Sequence, residues 1–259
     1  MKKSLVIGNK NSSNDIAAQL APNSNGPVYQ SIRRPAPPRC VSLPDERIKM
    51  VAPVSKYIIK PSDEGDKFDA HLSDGTILAD LDNVQLGTGY RPFPSFIRVF
   101  GHFPEDHLHV PIIRKDTSPY RVPYLHRLIM YAYNPSLAFI GLPVAYTPFT
   151  IADVASTWLS LAWRGETSYP GTNEGRLLYE QERLTVIDDW QRQMDHPTSL
   201  MVFNVLGPDE QKYARMLKED IVKARPEFDN ILPVWSDERT VVREAMSKTK
   251  FESLLCKRE

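Results

Sequence analysis

The sequence predicts an α/β fold, with a strand–helix–strand unit at its beginning and mainly helices toward its end. Three patterns support this. An apolar run at residues 5–7 stops at Gly8, and a short polar turn and the start of a helix follow. A second segment, at residues 28–32, has the length and residue types of a partner strand. From Thr150 onward, apolar residues recur at the spacing of an amphipathic helix.

The turn after the first strand has the residue types of a phosphate-binding loop. Glycine tolerates a positive φ, so Gly8 permits a tight turn. Ser12 or Ser13 is placed to cap the helix. A helix N-terminus carries free N–H groups and partial positive charge, which suit a pyrophosphate. We therefore predict a Rossmann-like nucleotide-binding unit in which Gly8, Asn11, Ser12 and Ser13 hold the pyrophosphate.

Two basic residues at the end of the second strand indicate which nucleotide would bind. Arg33 and Arg34 stand where an NAD site usually carries an acidic residue, and guanidinium groups can hold a ribose 2′-phosphate. We therefore predict NADPH rather than NADH. The usual fingerprint, G-x-G-x-x-G, would place glycines at Lys10 and Ser13. This segment taken alone is equally compatible with an ordinary strand–turn–helix.

Two further segments, taken together with the first, carry a family resemblance. Residues 87–90 read Gly-Thr-Gly-Tyr after an apolar strand, and residues 135–142 read Pro-Ser-Leu-Ala-Phe-Ile-Gly-Leu. In this order the three segments resemble the C-terminal part of flavin-containing monooxygenases, close to the fungal members. The second segment resembles the family's A-T-G-Y signature, with glycine in place of alanine, and the third its P-S-L-x-F-I-G-L block. The resemblance covers most of the chain, to about residue 224.

The resemblance implies an oxidoreductase that uses FAD and NADPH to oxygenate a small-molecule substrate through a flavin C4a-hydroperoxide. In such enzymes the cofactor carries the hard chemistry, while the protein orients, shields and tunes it. By the same resemblance, Thr88, Gly89 and Tyr90 line the junction between the two nucleotide sites. The matching motifs are binding motifs, so they assign no catalytic acid or base. Sulfur or nitrogen oxygenation and Baeyer–Villiger insertion both stay open.

The sequence also lacks one part of the family's pattern. Family members begin with a FAD-binding unit that has its own G-x-G-x-x-G, and this sequence contains no second unit of that kind. We therefore expect an N-terminally truncated member in three parts. These are an NADPH-binding unit with following strands at 1–85, the C-terminal part of a FAD-binding domain at 86–165, and a helical region at 166–259. The departure puts FAD binding by this chain in question.

A non-catalytic protein is the alternative prediction. The chain would then be a remnant that binds NADPH weakly or acts as an interaction module. A truncated FAD domain would also leave the strand at residues 84–86 without neighbours. Because unpaired edges and exposed apolar surface promote association, we expect poor solubility or self-association of the chain alone.

Composition excludes several other classes. The 32 Lys and Arg balance the 32 Asp and Glu, so no overall field attracts nucleic acid or an anionic membrane. Hydrophobic residues make up 41% of the chain, which is enough for a core, but no apolar run is long enough to span a bilayer. Cys40 and Cys256 are too far apart in sequence to indicate a disulfide framework, and they predict a reducing, cytoplasmic location.

One histidine cluster raises the question of a metal site. His102, His107 and His109 lie beside Glu105 and Asp106, and all five belong to residue types that bind zinc. The proline within this cluster argues against a regular scaffold that would present the ligands together. We therefore predict a solvated loop and no metal.

Helices are predicted for the last part of the chain. The first is expected to begin with Thr150 as N-cap and to end at Gly165. Its apolar stripe consists of Ile151, Val154, Ala155, Trp158, Leu159 and Ala162. Further helices are predicted near residues 177–194, 209–224 and 238–255.

Overall fold

The computed structural model describes residues 2–35, 44–61, 65–101, 109–193 and 203–239, with a few positions between 241 and 249. It divides into two compact units. The first unit is Met1–Tyr90 with Val241–Glu259, and the second unit is Arg91–Thr240. The division predicted at residues 85 and 165 stays a prediction.

The described part of the chain contains both strands and helices. The strands are β1 (Ser4–Ile7), β2 (Val28–Ser31), β3 (Ile48–Val51), β4 (Val54–Lys60), β5 (Lys67–Leu72), β6 (Ile77–Leu81), β7 (Asn83–Leu86), β8 (Arg98–Phe100), β9 (His109–Pro111), β10 (Leu125–His126) and β11 (Met130–Tyr131). The α-helices are α1 (Asn11–Leu20), α2 (Pro148–Trp163), α3 (Asn173–Arg192) and α4 (Glu210–Ala224).

A four-stranded parallel sheet organises the first unit. Its order is β3-β2-β1-β7, and α1 connects β1 to β2, so the predicted strand–helix–strand unit is confirmed. Val6 and Val28 are completely buried against Ala17 of α1. This arrangement is a mixed α/β fold with a parallel sheet, consistent with a Rossmann-like unit.

The strand at residues 84–86 has a neighbour, so the prediction that it would lack one is wrong. β7 pairs in parallel with β1 along its whole length, from Ser4 opposite Asn83 to Ile7 opposite Leu86. The reason is the antiparallel sheet β4-β5-β6, which lies in the sequence between β3 and β7 and returns the chain to the free edge of β1. The packing of Leu5 against Leu72 and Leu81 joins the two sheets.

The turn between β5 and β6 is a hairpin, and Asp74-Gly75 is a residue pair typical of such turns. Gly75 has a φ of 87°, which favours glycine, and Thr76 N donates to the Asp74 carboxylate at 3.0 Å. The turn therefore fixes the antiparallel pairing locally.

Helices form the larger core of the second unit. The predicted stripe of α2 is buried throughout, and α2 packs against α4. The helix ends as predicted, with Gly165 at a φ of 72° just after it. The predicted N-cap is wrong, because the N-cap is Thr147 and Pro148 is the first helical residue. Completely buried Glu210 accepts hydrogen bonds from Thr147 N at 3.2 Å and Thr147 Oγ1 at 2.7 Å.

The other helices lie close to their predicted positions. α3 begins four residues before the predicted residue 177, because Thr172 is its N-cap and accepts from Gly175 N at 3.1 Å. α4 begins at Glu210, one residue after the predicted start, and ends at Ala224 as predicted. The helix predicted at 238–255 falls largely outside the described residues.

The buried face of α3 is charged. Glu180 accepts from Arg121 and, at 2.6 Å, from Tyr124 N. Arg183 donates to the carbonyls of Phe203 at 2.7 Å and Val205 at 2.7 Å. These bonds attach irregular segments on both sides to one helix, because each segment offers backbone groups that need a partner.

We expect Glu180→Gln to lower the free energy of unfolding by about 3 kcal/mol, because it leaves Arg121 buried without its carboxylate. Urea unfolding of the chain measures this change. The matched control is Glu182→Gln, an exposed position of the same helix. Equal unfolding midpoints for the two variants would contradict the expectation.

His126 is a buried titratable group in the second unit. Its side chain is 6% exposed, with its ring centroid 6.1 Å from those of Trp158 and Tyr179. Burial lowers the pKa of His126 from 6.5 to about 4, and the positive charge of Arg127 contributes further. The imidazole is therefore neutral at pH 7.

We expect His126 to destabilise the folded chain as the pH falls from 6.5 to about 4. Above pH 6.5 both states hold a neutral imidazole, whereas below it only the unfolded chain takes up the proton, until about pH 4. The full loss is about 3 kcal/mol. Urea unfolding at several pH values should show a shallower acid dependence for His126→Gln than for the control His71→Gln. Identical slopes in the two variants would be the contrary result.

Candidate functional site

The carboxyl ends of β1, β2 and β7 bring three predicted segments to one edge of the parallel sheet. The glycine turn follows β1, the two arginines follow β2, and residues 87–90 follow β7. These strands are adjacent and parallel, so their carboxyl ends meet. The predicted nucleotide-binding residues therefore belong to one region of the first unit.

The turn after β1 requires glycine on two counts. Gly8 has a φ of 115°, in the left-handed region. A Cβ atom at this position would lie only 2.6 Å from the carbonyl oxygen of Gly87. The Gly8 N–H also donates to the Ser31 carbonyl at 2.9 Å, so the turn is held against β2.

The first turn of α1 differs from the predicted capping. Lys10 is the N-cap, and Ser13 Oγ accepts from Lys10 N at 2.8 Å and donates to Lys10 O at 2.8 Å. Ser13 is completely buried, whereas Asn11 and Ser12 are exposed. The hydroxyl of Ser13 therefore serves the helix itself, and its predicted contact with a pyrophosphate stays a prediction. The first amides of a helix lack an acceptor within that helix.

Ser13 and Gly87, two of the positions at which this chain departs from the family's sequence patterns, lie in contact with each other. A Cβ atom at residue 87 would lie 2.5 Å from Ser13 Cβ and 2.7 Å from Ser13 Cα. The fingerprint would have glycine at residue 13, and the signature would have alanine at residue 87. In this chain residue 13 has a side chain and residue 87 has none, so the contact contains a single Cβ atom.

Two buried polar residues that were not predicted from the sequence, Gln30 and Asn14, support the turn through hydrogen bonds. The Gln30 side-chain amide donates to Gly8 O at 2.8 Å and to Asn14 Oδ1 at 2.8 Å. Gln30 is 1% exposed. A buried amide needs partners, and these bonds link β2, the turn and α1. The available signal was a glutamine in the middle of a predicted strand.

The arginine pair is exposed at the end of β2. Neither Arg33 nor Arg34 has an ion-pair partner among the described residues. Asn9 Nδ2 donates to the carbonyl of Arg34 at 2.6 Å, which joins the glycine turn to this stretch. The backbone that carries the two arginines is thus joined to the turn that precedes α1.

The segment after β7 begins close to the turn and ends in solvent. Gly87 is buried and donates its N–H to Ile7 O at 2.8 Å. Thr88 and Gly89 are exposed, and Tyr90 is 88% exposed. Their predicted place at a junction between two nucleotide sites stays a prediction.

The described part of the chain contains neither a metal-binding cluster nor a membrane-spanning helix. There, no group of three or more His, Cys, Asp and Glu could hold a metal ion. His102, Glu105, Asp106 and His107 lie outside the described residues, and His109 begins β9. No described helix is both long enough and apolar enough to cross a bilayer.

Comparison with known proteins supports the fold. No protein-family model matches the chain. The chain is similar to the crystal structure of Tmm from Pelagibacter sp. strain HTCC7211, with a TM-score of 0.54 and 18% sequence identity. The match covers 88% of this chain and 47% of that one, so this chain spans about half the length of the structure it matches. At this identity the likeness shows a similar fold.

We expect Gly87→Ala to lower the free energy of unfolding by about 2 kcal/mol, because the new methyl group overlaps Ser13. Adding Ser13→Gly should recover part of this loss, giving a coupling of about 1 kcal/mol between the two positions. Thermal and urea unfolding of the four chains of this cycle measure it.

Gly171→Ala is the control, since a Cβ atom there meets nothing within 4 Å. Strictly additive effects of Gly87→Ala and Ser13→Gly would show that the two residues do not share one contact.

Proposed function

We propose that this chain is the NADPH-binding and C-terminal portion of a flavin-dependent monooxygenase. One observation carries the proposal. A positive-φ glycine turn at the carboxyl end of β1 lies beside the end of β2, where two exposed arginines have no ion-pair partner in the described part of the chain. The fold likeness supports the class of enzyme.

The turn and α1 would bind the pyrophosphate. The amides of Asn11, Ser12 and Ser13 begin the helix, and Gly8 allows the backbone to approach closely. The helix dipole favours the negative charge. Gln30 would keep the Gly8 carbonyl turned toward the protein, because the carbonyl oxygen accepts a hydrogen bond from the Gln30 side-chain amide.

The arginines would select the phosphorylated nucleotide. A guanidinium group forms paired hydrogen bonds with phosphate oxygens, and Arg33 or Arg34 would use them for the ribose 2′-phosphate. NADH offers no such group. The proposal is therefore NADPH rather than NADH.

The flavin is a different case. The described residues contain one strand–glycine turn–helix unit, and the proposal gives it to NADPH. We therefore assign no residue here to FAD, apart from the proposed place of Thr88, Gly89 and Tyr90 between the two cofactors. Oxygen activation belongs to FAD in this class of enzyme, and Tmm, the structure this chain matches, is about twice as long.

A second candidate follows from the same observation. A chain with one nucleotide unit would bind NADPH without oxygenating a substrate. The small-molecule substrate and the cytoplasmic location belong to the first proposal, and the two proposals differ in whether NADPH reduces a flavin bound to this chain.

We expect NADP⁺ at a hundred times its Kd to stabilise the purified chain by about 2.7 kcal/mol. The measurement is thermal unfolding with and without nucleotide, together with calorimetric titration. Arg33→Ala combined with Arg34→Ala should abolish most of this shift, because the 2′-phosphate loses its partners.

The matched control is Lys49→Ala, which removes an exposed cation at β3 in the same unit. FAD is titrated separately, and flavin reduction by NADPH is followed by absorbance. Stoichiometric FAD with reduction supports the monooxygenase, NADP⁺ binding alone supports the second candidate, and binding of neither nucleotide contradicts both.

A further inference from the structure

We propose that Asn9 determines the preference for a 2′-phosphorylated nucleotide, by holding the backbone of the arginine pair against the glycine turn. Asn9 is a positioning residue on this proposal, since it would act through Arg34 and need not touch the ligand. The inference rests on the proposed function and deepens it.

The geometry of Asn9 carries the inference. Asn9 lies within the turn itself, between Gly8 and Lys10, and is partly buried. Its side-chain amide donates to Arg34 O at 2.6 Å, across 25 residues of sequence. The backbone that would bind the pyrophosphate and the backbone that bears the arginines are therefore linked directly.

Little else in the described part of the chain holds the arginine stretch. The last sheet hydrogen bond on this side runs from Ile32 N to Val51 O at 3.1 Å. Between Ile32 and Pro35, the described hydrogen bond that fixes the backbone is the one from Asn9. The position of the Arg34 backbone relative to the turn thus depends on this bond.

We therefore expect Asn9 to affect the choice between NADP⁺ and NAD⁺ more than the affinity for nucleotides in general. An arginine side chain has many rotamers, and ordering it on a phosphate costs conformational entropy. Fixing the backbone of Arg34 in advance reduces that cost, which is the effect of preorganisation. NAD⁺ has no 2′-phosphate, so its binding does not use the arginines and should not depend on Asn9.

The test compares Asn9→Ala and Asn9→Leu with the unmodified chain. Dissociation constants are measured for NADP⁺ and NAD⁺, and for 2′,5′-ADP and 5′-AMP, which differ only in the 2′-phosphate. We expect the preference for the 2′-phosphorylated member of each pair to fall about fivefold, the effect of one lost hydrogen bond. Affinity for NAD⁺ and 5′-AMP should change less than about twofold.

Two controls make the result specific. Asn25→Ala removes an exposed asparagine from the connection before β2 and should change neither nucleotide's affinity. In a chain that already carries Arg33→Ala and Arg34→Ala, Asn9→Ala should leave the nucleotide preference unchanged, because the groups it positions are gone.

Three results would overturn the inference. An unchanged preference in the Asn9 variants, or equal weakening of NADP⁺ and NAD⁺, would show that Asn9 only supports the turn, and the proposed function would stand. Failure of the unmodified chain to bind either nucleotide would overturn the proposed function together with the inference.

Discussion

The approach of β1, β7 and α1 at one point is the constraint on which the rest of the first unit depends. Gly8, Ser13 and Gly87 lie very close together. A Cβ atom added at Gly8 would lie 2.6 Å from the Gly87 carbonyl oxygen, and one added at Gly87 would lie 2.5 Å from Ser13 Cβ. The close approach lets β7 pair with β1 along its length and lets α1 begin directly above the strand end. The phosphate-binding geometry proposed here follows from that packing, because the free amides of α1 are placed beside the turn.

Side-chain amides secure this geometry from two sides. Gln30 binds the Gly8 carbonyl from inside the sheet, and Asn9 binds the Arg34 carbonyl at the surface. A buried amide such as Gln30 stabilises the fold only while its partners are present. Asn9 is partly exposed, so it can influence where the arginines lie without a large effect on stability. Gln30 of β2 therefore contributes to stability, whereas the proposed role of Asn9 in the turn concerns nucleotide choice.

The second unit uses buried charge in a different way. Glu180 and Glu210 both accept backbone N–H groups from residues more than fifty positions earlier in the chain. Each carboxylate therefore fixes a segment that has little regular structure of its own. Removing one partner of such a pair leaves a desolvated group behind, so these bonds define the loops around α2 and α3 more sharply than apolar contacts would.

The sequence by itself determined the features that depend on near neighbours in the chain. The glycine turn at Gly8, the hairpin at Asp74-Gly75 and the end of α2 at Gly165 were predictable, because backbone conformation and local periodicity decide them. Only the tertiary structure decided the partner of β7, the start of α2 and the need for glycine at residue 87 opposite the side chain of Ser13. Each of these depends on residues far apart in sequence. β7 pairs with β1 after three intervening antiparallel strands. Thr147 is the N-cap of α2 because its hydroxyl donates to Glu210. Residue 87 is glycine because Ser13 lies opposite it.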